Sequence, residues 1–512
     1  MSRVNDAWYR PVEDDDDVVV EAVDDDVADE EALDAVIDRP SEPDEATVSL
    51  SALAACYVVA FVSSMDNAIM LPSLWPYVEQ LCREDGRGQD AHRAYGAAQC
   101  VFFATRVAAM WFLGQRVDKG DSYATLFTTC LATGVVGALL YGTAPWLGRG
   151  WSIHGLFAGR ALLGASSAIS VLSLSFVASF VPKSQRTPIF RVAKIIALQR
   201  ASTPLGPLLV LGLDLLPDKA SKLGVSSYSG AGFVVSGFNV AALFVVVSFF
   251  KEPPRLSKAC RDRPAPPSCR QILTTLRSTG AWASYFFSFQ NNWTNQTILW
   301  TLPLITADLY GEDVVRDSAI FAAGGCVGIA TALSIACWKG RFRDGTMILA
   351  AQLGAGGVLG ALALSFGCPK LLSTHRRPLW LLCLLFMVYH VPFKFIAQMP
   401  SNNALYTKLV SDAAGSHQGV YQALLEISKA GARGLAGLAI GQAYASQGPC
   451  ALWGLSLAVW ALQFAPLSIT WQRLGAPDAP PAPPRTALAR RPARNEPRLA
   501  RNEPRFQRLE VT

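Results

Sequence analysis

The chain alternates long apolar segments with short polar connections. About twelve segments hold roughly 20 apolar residues each, which is enough for a helix to cross a bilayer. In the first half of the chain they are residues 48–72, 94–114, 122–144, 152–181, 189–213 and 230–250. In the second half they are residues 279–306, 316–338, 346–366, 378–399, 418–444 and 450–471. Because backbone amides must be paired internally in lipid, the pattern predicts an all-α, polytopic membrane protein with two six-helix halves.

Composition and charge support this interpretation. The sequence is 51% hydrophobic and only 17% charged, whereas soluble domains carry about 25% charged residues. Lys and Arg are concentrated in alternate connections, at 115–121, 182–191, 251–270 and 339–343. The positive-inside rule therefore predicts that these connections and both termini face the cytosol. The predicted parts are a disordered acidic tail at 1–47, a six-helix half at 48–250, a cytoplasmic linker at 251–277, a second half at 278–472 and a disordered Arg/Pro-rich tail at 473–512.

Two similar polar motifs follow corresponding apolar segments in the two halves. Gly114, Asp118 and Lys119 come after the second segment, and Gly340 and Asp344 come after the eighth. A duplicated architecture of this kind is typical of secondary transporters. We therefore assign these five residues to a candidate cytoplasmic gate.

Ionisable side chains inside the apolar segments are the first candidates for chemistry, because a charge at mid-bilayer is costly. Asp66 lies well inside the first segment and is our candidate for proton coupling; a structural carboxylate bonded to a neighbouring helix is the alternative. Arg160 lies early in the fourth segment and is a further candidate; extension of its side chain to the membrane surface is the alternative. Arg106 lies deep in the second segment and could pair with Asp66 or with an anion.

The second half contributes polar and charged candidates of its own. Asn292, Asn295 and Gln296 lie in one apolar segment and predict a polar face on a central cavity. Both asparagines also fit glycosylation motifs, although a site within a span would be out of reach of glycosylation. His390 and Lys394 are one helical turn apart and would attract an anion; the alternative for His390 is a plain core position.

A further charged group lies in the eleventh segment. Glu426 and Lys429 are three residues apart, and Arg433 follows Glu426 by seven, so all three share a helix face. This group predicts either a gate network or part of the cavity lining. Glu426 and Lys429 could also simply neutralise each other.

Several motifs resemble those of the major facilitator superfamily. They are Gly114-x-x-x-Asp118-Lys119 after the second segment, Gly159-Arg160-Ala161-Leu162-Leu163-Gly164 in the fourth, and Gly206-Pro207 in the fifth. Further stretches are similar to the lysosomal ceroid-lipofuscinosis-type branch and its SPX-related cousins: Leu71–Tyr77, Gln185–Thr187, Asn403–Leu409, Gln418–Tyr421 and Gly431–Gly434. The resemblance implies a major facilitator fold and an endolysosomal or vacuolar transporter, or an anion-conducting protein. It also implies that Arg160 takes part in proton coupling or lies on the substrate path.

These observations together predict a secondary transporter rather than an enzyme. The expected activity is alternating-access transport of a small polar or anionic solute, linked to protons; an anion channel with the same fold is the alternative. The expected partners are the solute or ion, protons and the lipid bilayer, with no nucleic acid, and the protein is expected to be a monomer. The eleven cysteines are scattered rather than grouped at ligand spacing, so we predict no metal and no cofactor.

Overall fold

The computed structural model describes residues 49–180, 188–214, 226–252, 268–311, 314–336, 344–367, 378–389, 406 and 418–465. Within these ranges the chain is almost entirely helical and contains no strand. The helices of the first half are α1 Leu50–Glu84, α2 Ala91–Asp118, α3 Tyr123–Thr143, α4 Ser152–Ser167, α5 Ile169–Phe180, α6 Pro188–Asp214 and α7 Ser227–Phe249. They are followed by α8 Cys269–Thr279, α9 Trp282–Ile305, α10 Val314–Ala336, α11 Asp344–Leu362, α12 Leu379–Tyr389, α13 Gln418–Gln447 and α14 Pro449–Leu462.

Each of the twelve predicted segments contains described helix, the fourth being formed by α4 and α5 together. Residues 390–399 of the tenth segment and 466–471 of the twelfth lie outside the described residues. Among the described residues, five stretches are long and apolar enough to cross a membrane: Leu50–Glu84, Gly88–Asp118, Tyr123–Leu147, Ser152–Val177 and Tyr228–Phe249. Shorter apolar helices occur at Gln352–Phe366, Leu379–Tyr389 and Pro449–Leu462. The two predicted tails, 1–47 and 473–512, lie outside the described residues.

The first helix is longer than its apolar segment predicted. It continues through Pro72 and Pro76 to Glu84 instead of ending at residue 72. Proline is tolerated inside such a helix when neighbouring helices surround it. The face that continues past the prolines is fully buried and consists of Leu74, Tyr77, Val78 and Leu81. Packing on this face therefore overrides the helix-breaking tendency of proline.

The predicted linker contains a short helix, α8, that the sequence pattern did not predict. Its start carries a capping box, in which Ser268 accepts from the backbone N–H of Gln271 and the Gln271 side chain accepts from the N–H of Ser268. Its end is set by Gly280, whose positive φ of 77° is a conformation that glycine adopts without strain. These local signals define an eleven-residue helix between the two halves.

The two halves contact each other along α2 and α13. A Cβ atom placed on Gly96 would lie 2.6 Å from the carbonyl oxygen of Gly437 and 2.8 Å from Cα of Gly441. A Cβ on Gly437 would lie 2.9 Å from Cβ of Gln99. Small residues at this spacing allow helix backbones to approach closely in a membrane. The glycines therefore fix the distance between the halves.

We expect Gly96→Leu to lower the free energy of unfolding by about 1–3 kcal/mol, the usual cost of overpacking a close contact. The check is the thermal unfolding midpoint of the detergent-solubilised protein. Gly237→Leu is the matched control, because a Cβ on Gly237 meets nothing within 4 Å. Equal midpoints for the two variants would contradict the assigned α2–α13 contact.

Candidate functional site

Asp66 lies on α1 with only 1% of its surface exposed. Its Oδ1 accepts a hydrogen bond of 3.0 Å from Nδ2 of Asn239 on α7. Its Oδ2 has no hydrogen-bond partner among the described residues. The carboxyl group is thus held by one neutral donor and keeps one oxygen available for a proton.

Asn239 is a site residue that the sequence reasoning missed. It is buried in an otherwise apolar helix, and the same Nδ2 also donates to the carbonyl oxygen of Val235 at 3.0 Å. A lone amide in the sixth apolar segment was the available signal. Its partner could not be named from the sequence, because Asp66 is 173 positions away.

A glycine on α6, Gly206, packs directly against the backbone of α1. A Cβ on Gly206 would lie 2.5 Å from the carbonyl carbon of Ala68. Any larger residue would therefore push α6 away from α1, two residues beyond Asp66. The Gly206-Pro207 motif thus has a packing role where α6 contacts α1.

Arg160 lies on α4 and is completely buried. Its Nη2 donates to Oε1 of Gln99 at 2.8 Å, and its Nη1 lies 3.3 Å from the sulfur of Met70. Its guanidinium carbon lies 4.3 Å from the ring centroid of Phe102. In the described part of the chain, no carboxylate lies within ion-pair distance of Arg160, although Asp66 interacts with it electrostatically.

Two glycines of the Arg160 motif bring α4 against its neighbours. A Cβ on Gly159 would lie 2.7 Å from the backbone nitrogen of Tyr141 on α3. A Cβ on Gly164 would overlap the carbonyl oxygen of Phe102 on α2. The motif therefore positions its arginine by packing α4 tightly on both sides.

Arg106 on α2 donates from Nη2 to Oγ of Ser170 at 3.1 Å. Ser170 lies just after the break in the fourth segment, where α4 ends at Ser167 and α5 begins at Ile169. The described residues show no ion pair between Arg106 and Asp66. Arg106 does interact electrostatically with both Asp66 and Glu426, so it acts on one carboxylate from each half.

The second half contributes Arg433 on α13. Its Nε and Nη2 both donate to Oδ1 of Asn292, at 2.9 and 2.7 Å. Its guanidinium carbon lies 5.8 Å from the ring centroid of Phe103. Lys429, one turn earlier, forms an ion pair of 2.6 Å with Glu426, which is two turns before Arg433.

Two adjacent phenylalanines on α2 lie between the arginines of the two halves. Their ring centroids are 4.8 Å apart at an interplanar angle of 79°. Arg160 contacts the ring of Phe102, and Arg433 contacts the ring of Phe103. The structure thus brings Arg160 and Arg433 to neighbouring rings of one helix.

Among the described residues, other polar candidates keep hydrogen-bonding groups without partners. Gln296 is buried with its Nε2 unpartnered, and Asn295 is half-buried with its Oδ1 unpartnered. Their predicted place in a cavity lining stays a prediction. His390, Lys394 and Gly340 lie outside the described residues, and Asp344 is the first residue of α11.

Asp118 connects the α2–α3 turn to the start of α13. It is 6% exposed, and its Oδ2 accepts a hydrogen bond of 3.1 Å from the backbone N–H of Val420. This N–H belongs to the first turn of α13, where backbone donors have no partner within the helix. Gly114 is buried on the same helix, whereas Lys119 is exposed. Asp118 therefore joins the two halves at this end of the bundle, which we call the Asp118 end.

The sequence of residues 56–437 matches the family model of the Major Facilitator Superfamily. The chain therefore belongs to this superfamily and is an integral, multi-pass membrane protein. No curated protein sequence is significantly similar to it.

Solved structures confirm the predicted major facilitator fold. The human organic anion transporter MFSD10 (TETRAN) is 16% identical with a TM-score of 0.56, covering 81% of this chain and 99% of that one. A D-xylose–proton symporter is 12% identical with a TM-score of 0.62, covering 80% and 96%. A POT family transporter in complex with a thioalcohol-conjugated peptide is 12% identical with a TM-score of 0.62, covering 83% and 96%. Membership of the Major Facilitator Superfamily makes the protein a membrane transporter rather than an enzyme.

We expect Asp118→Ala to speed amide hydrogen exchange in the first turn of α13 by roughly 5-fold, since losing a helix-capping acceptor costs about 1 kcal/mol. The check is hydrogen–deuterium exchange of peptides that contain Val420. Asp121→Ala is the control, because Asp121 lies in the same loop and pairs with Arg116 at the surface. Similar exchange at Val420 in both variants would argue against the assigned contact.

Proposed function

We propose that this protein is a proton-linked carrier that moves a small anionic solute by alternating access. The observation that carries the proposal is Arg160, which is completely buried without a carboxylate at ion-pair distance in the described part of the chain. An unpaired charge taken out of water costs several kcal/mol. A transported anion that enters the site would remove this cost while it is bound.

The wider charge balance of the site supports an anionic solute. Its basic side chains are Arg106, Arg160, Lys429 and Arg433, and its acidic side chains are Asp66 and Glu426. The site therefore has more positive than negative groups even with both acids ionised. MFSD10 is described as an organic anion transporter, although at 16% identity the similarity to it concerns the fold.

Proton linkage is supported by the surroundings of Asp66. Its free Oδ2 can take up a proton without breaking the hydrogen bond that Oδ1 makes with Asn239. Protonation would remove a negative charge that interacts with Arg106 and Arg160. Because Arg106 also interacts with Glu426, protonation of Asp66 would change the balance of electrostatic forces between the first half and the second.

We also propose the finer assignments that the sequence predicted. Residues 48–250 and 278–472 form the two halves, the Asp118 end faces the cytosol with both termini, and the protein works as a monomer in an endolysosomal or vacuolar membrane. The basic connections on the predicted cytosolic side support this orientation. The similar transporter structures do not favour the anion-channel alternative.

We expect Asp66→Asn to abolish solute-dependent proton flux, since an amide cannot carry the proton. The check uses purified protein in liposomes under an imposed pH gradient, with chloride, sugars, amino acids and phosphodiesters tested in turn. Asp90→Asn is the control, because Asp90 is exposed near the start of α2. Unchanged flux in Asp66→Asn would overturn the proton-coupling role, and sustained chloride current without proton movement would favour a channel.

We expect Arg160→Gln to weaken uptake of the anion by roughly 10-fold or more, because a hydrogen bond to a charged group contributes about 1.5–3 kcal/mol. The check is the solute concentration that gives half-maximal uptake. Arg149→Gln removes an exposed arginine and serves as the matched control. Arg160→Lys should restore part of the affinity because it keeps the charge. A neutral sugar as the only transported solute would contradict the proposal.

A further inference from the structure

The linker helix α8 has two different faces. Ile272 is buried and Leu276 is half-buried, and both belong to an apolar cluster with Tyr421 and Leu425 of α13. A second face, adjacent to the buried one, is formed by Arg270, Leu273 and Arg277, which are all exposed, Leu273 at 67%. Residues three, four and seven positions apart share one side of a helix. The exposed face therefore combines one large apolar side chain with two arginines.

The position of α8 places this face at the edge of the membrane. The helix ends at Thr279, and α9, which forms the predicted seventh span, begins at Trp282, a tryptophan that is 36% exposed. Tryptophan is enriched where the bilayer meets water. Trp146 and Trp151 are exposed at the other end of the bundle. The short connection between α8 and α9 thus holds α8 near the level of the lipid headgroups.

We propose that the Arg270–Leu273–Arg277 face binds anionic phospholipid at the Asp118 end of the protein. Leu273 would enter the boundary of the acyl chains, as apolar residues of interfacial helices do. The guanidinium groups would donate paired hydrogen bonds to lipid phosphate and carboxylate oxygens. The cytosolic leaflet carries most of the anionic lipid, so in a cell this binding rests on the proposed orientation. Lipid bound to this face would keep α8, which lies between the two halves, at the membrane surface.

The choice of lipid over a soluble partner follows from Leu273. A soluble acidic ligand would leave this side chain in water, whereas a bilayer covers both the leucine and the arginines. The connection from α8 to α9 is only two residues long, which keeps this face close to the predicted seventh span. A bilayer therefore accounts for all three residues together.

The test measures the thermal unfolding midpoint of the full-length protein in detergent while phosphatidylserine or phosphatidylcholine is titrated. We expect phosphatidylserine to stabilise the protein more, and Arg270→Gln with Arg277→Gln to raise the concentration needed by roughly 10-fold. Leu273→Gln should also weaken the response. The matched control is Arg83→Gln with Arg93→Gln, which removes two exposed arginines near the other end of the bundle and should keep the response.

Two outcomes would overturn the proposal. One is the same response to phosphatidylserine in both double variants, which would show that these arginines do not form the binding face. The other is equal stabilisation by soluble phosphoserine, which would make a soluble acidic partner the occupant. Because no transport is measured, the result is independent of the proton and solute experiments.

Discussion

The contact between α2 and α13 is the constraint on which the arrangement of the candidate site depends. It brings Asp118 to the backbone of Val420 near one end and Gly96 against Gly437 and Gly441 farther along. Between these points Arg433 lies over the ring of Phe103. A close helix contact fixes which side chains of the two halves meet, because packed interfaces are not continuously deformable. The close contacts at these glycines therefore set the distances between the charged side chains of the site.

Three arginines of the site donate hydrogen bonds to neutral oxygen atoms. Arg106 donates to Ser170, Arg160 to Gln99 and Arg433 to Asn292. A hydroxyl or amide oxygen accepts a hydrogen bond but does not cancel a positive charge. A carboxylate in the same place would do both, as Glu426 does for Lys429. The neutral partners thus orient the guanidinium groups while the site keeps a net attraction for anions.

The sequence predicted the helices well because membrane spans are defined by length and apolarity alone. It failed where a local signal competed with packing, as in α1, where a buried face continues beyond Pro72 and Pro76. It named Asp66 and Arg160 as candidates, and their functional roles stay predictions. It did not name Asn239 or Gln99, which are their hydrogen-bond partners in the structure. Hydropathy gives the depth of a residue along its own helix, but the rotation of one helix against another depends on contacts across the bundle. A single sequence therefore does not predict which residues contact a buried charged side chain.

The helix α2 contacts the second half of the chain, and it also carries Arg106, which interacts with acidic side chains of both halves. Gly96, Gln99, Arg106 and Asp118 all lie on it, so these residues cannot move independently. If Asp66 takes up a proton, Arg106 loses part of the attraction that holds it in the first half, while its attraction to Glu426 on α13 remains. An anion near Arg160 would oppose this change, because it restores negative charge on the same side. Binding of the proton and binding of the solute would then both change the electrostatic forces on α2. Each ligand would therefore alter the affinity for the other, which is the physical requirement for coupling two ligands in a carrier.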